Sequence, residues 1–226
     1  QRHGLNDRFV AMYSGNLGLC QRLEDVVEAA ARLRERTDIV FVLIGQGVLK
    51  EDLQRQVAER RLPNVRFLAP RPKSELAESL SAADVHLVPL DPRVAACLMP
   101  SKLYGVLAAG RPVVAVAPQR CELAEVTRRY GVGVVAPPED PAALAEHISN
   151  MADGACDLEA MGRRAFRGDL HIHSNYSDGR GTVPEIKQYA DAGELDFIFV
   201  TDHRTIHQRD VCRKLKRCWW GQEPAG

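Results

Sequence analysis

The sequence lacks a net charge: thirty lysines and arginines face thirty aspartates and glutamates over 226 residues. No global electrostatic pull draws such a chain to nucleic acid or to an anionic membrane, so any anion site has to be local. It also lacks a Cys-x-x-Cys pair. Cys20, Cys97, Cys121, Cys156, Cys212 and Cys218 are scattered, which argues against a structural zinc site and a disulfide framework and fits a reducing cytoplasm. No apolar run reaches membrane-spanning length. The opening Gln1-Arg2-His3-Gly4-Leu5-Asn6-Asp7 has neither an initiating methionine nor the apolar core of a signal peptide, so the chain is expected to begin in mid-protein. Against these absences stands a hydrophobic content of 45%, ample for a core.

The stretch around which the chain is organised runs Met99-Pro100-Ser101-Lys102-Leu103-Tyr104-Gly105-Val106-Leu107-Ala108-Ala109-Gly110-Arg111-Pro112-Val113-Val114-Ala115-Val116. Pro100 suits the first turn of a helix, where its missing N–H is not needed, and Gly110 can close that helix in a left-handed conformation. Val113 to Val116 then reads as a buried strand bounded by Pro112 and Pro118. At the helix start, free N–H groups and the positive end of the dipole meet the Ser101 hydroxyl and the Lys102 ammonium, a place for a phosphate. An ordinary helix–strand unit with Lys102 in solvent would use the same residues.

Strands and helices alternate along the chain. Phe9 to Gly15 is a strand ending in glycine, and Asn16-Leu17-Gly18 turns into a helix over about Leu23 to Arg34. Ile39 to Ile44 is a continuous apolar run that ends in Gly45-Gln46-Gly47 before a helix from Lys50 to Arg60. Val65 to Leu68 is a strand, Ser74 caps a helix from Glu75 to Ala82, and Val85 to Leu90 is another strand in which His86 reads as a hydrogen-bonded interior histidine. A helix from Cys121 to Arg129, a strand from Val132 to Val135 and a helix from Pro141 capped by Asp140 complete the series. Six such repeats at crossover spacing predict a doubly wound, Rossmann-like parallel sheet over residues 9 to about 151. Ligands of such sheets bind beyond the carboxyl ends of the strands, where Gly15, Asn16, Gly45, Gly47 and the Pro100–Lys102 helix start would converge.

Pro100-Ser101-Lys102-Leu103-Tyr104 followed by Ala108-Ala109-Gly110-Arg111-Pro112-Val113-Val114 resembles the nucleotide-sugar site of the family 4, GT-B fold glycosyltransferases, in particular the branch that builds bacterial surface polysaccharides. The resemblance covers residues 1–166 and implies the second of two Rossmann-like halves of a retaining enzyme. It implies a UDP- or GDP-sugar donor, a glycan or lipid-linked acceptor whose own half is absent from this chain, and no nucleic acid partner. A cytoplasmic enzyme at the inner face of the membrane follows from such acceptors, although no amphipathic basic helix argues for attachment. Implied donor-binding residues are Gly15, Asn16, Gly45, Gly47, Pro100, Ser101, Lys102 and Glu122, the last resembling a glutamate of the family's later motif and equally placed simply to favour a helix N-terminus. No catalytic residue is assigned. The two glutamates many members carry fall here on Cys97 and Gly105, and the basic residue of the first glycine loop falls on Gln21 and Arg22, so that contact is shifted by one or lost.

Beyond about residue 166 the text changes. On a strand, His171 and His173 project to one side and can reach one metal; Asp178 follows in a turn, and the apolar run Phe197 to Val200 leads into Thr201-Asp202-His203. Mixed imidazole and carboxylate donors suit zinc, manganese or iron, while a lone His-x-His also occurs on exposed strand edges. His-x-His-Ser, Ser-Asp-Gly and Thr-Asp-His together resemble the first two motifs of the PHP family of metal-dependent phosphoesterases. The resemblance implies His171, His173, Asp178 and His203 as ligands of zinc or manganese, with Asp202 orienting a ligand. The family's remaining ligands have no counterpart in the basic tail Arg204 to Gly226, and about sixty residues cannot close a barrel, so residues 167–226 read as a truncated PHP-like segment. A metal-dependent phosphoesterase and a non-catalytic nucleotide-binding fragment are the alternatives to the transferase.

Overall fold

The structure is a computed structural model that describes residues 5, 7–96, 98–164, 168–172 and 197–200. The chain divides into two compact units, 1–165 and 166–226.

In the first unit six strands form one parallel sheet: β1 (Phe9–Ser14), β2 (Ile39–Ile44), β3 (Val65–Leu68), β4 (Val85–Pro89), β5 (Val113–Val116) and β6 (Gly133–Ala136). Their order is β3-β2-β1-β4-β5-β6. The order reverses between β1 and β4, the place at which doubly wound sheets open a crevice for ligands. The apolar runs read from the sequence become these strands because both faces are covered: every residue of β2, β4 and β5 is buried. Alternation divides β1, with Ala11 and Tyr13 joining the larger cluster with Val27, Leu144 and Ile148, and Val10 and Met12 joining Val40, Val42 and Ala83.

The helices are α1 (Leu23–Arg32), α2 (Lys50–Glu59), α3 (Leu76–Ser81), α4 (Lys102–Ala108), α5 (Glu122–Arg129), α6 (Pro141–Ala152) and α7 (Leu158–Arg164). Asp140 caps α6 as expected, accepting the Ala143 N–H at 3.0 Å. Gly110 ends α4 at φ 64°, with its own N–H on the Leu107 carbonyl (2.9 Å) and the Arg111 N–H on the Val106 carbonyl (3.2 Å). That is the paired bonding of a left-handed cap.

Two expectations shift. Ser74 caps nothing: it sits inside a 3-10 turn, Lys73–Glu75, and α3 follows with Glu75 at its N-cap. Pro100 is not the first helical residue, since α4 begins at Lys102 and is only seven residues long; Pro100 and Ser101 form the preceding turn, whose carbonyls accept the N–H groups of Leu103 and Tyr104 at 3.0 and 3.2 Å. His86 is as expected: it is 1% exposed, its Nε2 lies 2.9 Å from the Leu80 carbonyl, and burial lowers its pKa to about 4, which keeps the ring neutral.

In the second unit, β7 (Gly168–Ile172) and β8 (Phe197–Val200) pair in parallel. His171 lies within β7. His173, Asp178, Asp202 and His203 lie outside the described residues, and so does the metal site read from them.

Candidate functional site

The site is built on two interlocked turns at the carboxyl edge of the sheet. After β1 the chain continues alongside the end of β2: the Gly15 N–H bonds the Ile44 carbonyl at 2.9 Å, the Leu17 N–H bonds the Gln46 carbonyl at 2.8 Å, and the Leu49 N–H returns to the Leu17 carbonyl at 3.0 Å. Only glycine fits such an approach. A Cβ on Gly45 would land on the Gly15 carbonyl oxygen, and one on Gly47 would strike the Leu17 carbonyl. Two separate loops of the sequence are therefore packed together, Gly45 against Gly15 and Gly47 against Leu17 and Asn16.

Lys102, the first residue of α4, joins them. Its Nζ lies 3.0 Å from the position a Gly15 Cβ would take and 3.6 Å from the centroid of the Tyr13 ring. The nitrogen is buried and has no hydrogen-bond partner among the described residues. Burial lowers its pKa to about 7, because the ammonium has lost water and gained only the face of a ring. Tyr13 was not singled out in the sequence. It is wholly buried, and its hydroxyl donates to the Asn16 carbonyl at 2.5 Å. The available signal was a phenol, two residues before the loop glycine, in an otherwise apolar strand.

Beside the turns opens a cleft of about 220 Å³, lined among others by Gly15 and Asn16, Gly45 and Gln46, Arg71 of the segment between β3 and α3, and Ser79 of α3. Arg71 and Ser79 were not singled out in the sequence, where nothing distinguishes them from ordinary polar residues. Gly47, Pro100, Ser101, Lys102 and Glu122 are not in the lining. Pro100 is buried and Ser101 exposed. Glu122 opens α5 half-buried; burial first and the Glu125 charge second raise its pKa to about 6. Its charge adds to the burial that raises Tyr104 to about 12, and it is not among the influences on Lys102.

Arg22 is engaged elsewhere. Its guanidinium bonds Asp25 at 3.1 Å and Glu139 at 3.0 Å, and Asp25 also accepts the Glu139 N–H at 3.1 Å, so this arginine ties the start of α1 to the turn before α6. Gln21 Oε1 is buried with no partner among the described residues. Of the cations considered in the sequence, Lys102 is thus the one held against the glycine turns without a carboxylate of its own. No group of metal-ligating side chains occurs among the described residues.

A family model described as glycosyl transferases group 1 matches residues 8–153. The chain belongs to this family. Among curated relatives, it is 31% identical over 153 residues to the protein named as the glycosyltransferase WbjE of Pseudomonas aeruginosa, covering 68% of this chain and 38% of that protein. It is 35% identical over 144 residues to the protein named as the colanic acid biosynthesis glycosyl transferase WcaI of Escherichia coli strain K12, covering 63% and 35%. The chain therefore spans well under half the length of these relatives.

Among solved structures, Alr3699/HepE of Anabaena in complex with UDP superposes with a TM-score of 0.61 at 18% identity, over 72% of this chain and 44% of that one. The C-terminal domain of the group 1 protein LpcC of Francisella tularensis does so with 0.58 at 14%, over 70% and 82%. These carry the expectation of a GT-B, Rossmann-like glycosyltransferase fold. They lend nothing to the PHP resemblance of residues 167–226.

Proposed function

We propose that residues 1–166 are the donor-binding half of a glycosyltransferase that moves a sugar from a UDP- or GDP-sugar onto a polysaccharide or lipid-linked acceptor. The observation that carries this reading is the Lys102 ammonium, buried and without a hydrogen-bond partner, held against Gly15 beside the cleft. A buried cation in that state lacks an anion, and a diphosphate supplies one. Gly15 and Asn16 offer backbone that can approach a phosphate closely, and Lys102 offers the charge. In transfer, the bond from sugar to diphosphate breaks and negative charge grows on the leaving oxygen; an ammonium fixed in a dry site stabilises it without reorganising. Pro100, Ser101, Gly45 and Gly47 act by shaping this place, and Glu122 has its proposed part at the neighbouring α5 start. The complexes of HepE with UDP and UDP-glucose favour the uridine donor.

Calorimetric titration of the chain with UDP and with GDP tests the reading. One of them should bind, and Lys102→Ala should weaken it by about tenfold or more, the scale of one charge-assisted contact. Failure of both nucleotides to bind overturns it.

A second reading concerns residues 167–226 as a PHP-like metal-binding segment using His171, His173, Asp178 and His203. What favours it is that β7 and β8, the strands leading into the two motifs, lie parallel and end side by side, with Ile172 opposite Val200. The zinc and manganese content of the purified chain decides it.

A further inference from the structure

Tyr13 stands out as a group the donor-site reading does not use. Its ring is packed in the core at no exposure, its hydroxyl donates to the Asn16 carbonyl at 2.5 Å, and its face lies 3.6 Å from the Lys102 nitrogen. A phenylalanine would fill the same core space. The hydroxyl instead fixes the turn that carries Gly15 and Asn16, and burial raises the phenol above the ordinary tyrosine range, so it stays protonated and keeps donating. The ring meets an ammonium that has no other polar partner among the described residues. One side chain thus touches both parts of the proposed anion cradle, the Gly15–Asn16 turn after β1 and Lys102 at the start of α4.

We propose that Tyr13 is a positioning residue: its ring seats the Lys102 ammonium and its hydroxyl holds the Asn16 carbonyl, so that a nucleoside diphosphate meets the lysine and the glycine turn as one preformed unit. This rests on the donor-site reading above. Preformed geometry saves the ordering of a long flexible side chain when ligand arrives, which is where the affinity comes from. Tyr13 does not touch the ligand itself; it acts through Lys102 and Asn16.

The test uses the full chain, labelled with carbon-13 at the lysine ε position, and reads geometry and binding separately. The Lys102 resonance is identified by its loss in Lys102→Ala. Its ε-methylene protons should be shifted upfield by the Tyr13 ring, keep that shift in Tyr13→Phe, and lose it in Tyr13→Leu and Tyr13→Met, two variants that fill the space without a π face. UDP or GDP affinity should fall about threefold in Tyr13→Phe and about tenfold in Tyr13→Leu or Tyr13→Met, and once Lys102 is alanine the aliphatic variants should cost only the roughly threefold of the lost hydroxyl.

Folding of each variant is checked by circular dichroism. An unshifted Lys102 resonance in the wild-type chain overturns the proposal, as does a Tyr13→Leu or Tyr13→Met loss of the same size with and without Lys102. A ring-shifted lysine in a chain that binds neither nucleotide overturns the donor-site reading instead, and with it the ligand's part in the proposal.

Discussion

Lys102 sits where a charge is costly. Its nitrogen is buried, the Tyr13 face is 3.6 Å away, and the pKa falls to about 7, so near neutrality the free protein holds this lysine part charged and part neutral. A diphosphate favours the charged form and raises the pKa in the complex, so binding takes up a proton above pH 7. Nucleotide affinity is therefore expected to fall by about tenfold for each pH unit above 7 until the pKa of the complex is reached, and to level off below 7. Titration calorimetry at pH 6, 7, 8 and 9 checks this; a flat profile would mean that the lysine is charged throughout or takes no part. The folded lysine holds fewer protons than the unfolded one between about 7 and its ordinary 10.5, so its share of stability rises with pH over that window. The sequence marked Lys102 but offered both a phosphate site and a solvated surface. Burial of the nitrogen removes the solvated surface, and that burial is made by residues far from it in the chain.

At the scale of elements, the two glycine turns matter more together than either does alone. The ladder between β1 and β2 runs on past both strands through the Gly15–Ile44 and Leu17–Gln46 bonds, and that continuation needs glycine at 45. Gly45→Ala should push the turns apart or strain the strand ends. A loss of about 1–3 kcal/mol, the usual cost of overpacking, is expected in denaturant unfolding, with weaker nucleotide binding. Wild-type stability in that variant would show that the turns are slack. Strands β2 and β5 were legible to the residue because each is an apolar run with glycine or proline beside it, and β3, which carries Arg66, because Pro63-Asn64 mark its start. Helix starts were less so. Ser74 and Pro100 have the right chemistry for a helix entrance, yet a 3-10 turn and a two-residue turn occupy those places, since a short helix can begin wherever packing allows.

For the molecule as a whole, the 3-2-1-4-5-6 order of the sheet puts the end of β1 beside the end of β4, and so brings the α4 start that follows β4 to the glycine turns. The match to group 1 glycosyl transferases covers residues 8–153, within the first of the two units. Donor binding and metal binding should accordingly be separable. The second reading requires zinc or manganese at stoichiometric level in the purified chain, lost when His171→Ala and His173→Ala are combined, with UDP or GDP affinity unchanged; metal-free protein removes it. By itself the sequence determined the alternation of strands and helices, the parallel sheet and the glycines, because hydrophobic period and turn chemistry are local. Only the tertiary structure decided that Arg22 is clasped by Asp25 and Glu139, that the Glu122 charge bears on the Tyr104 phenol, and that Tyr13 lies beneath the lysine. The Arg22–Glu139 and Tyr13–Lys102 contacts join segments distant in the chain, and no local pattern of residues carries them.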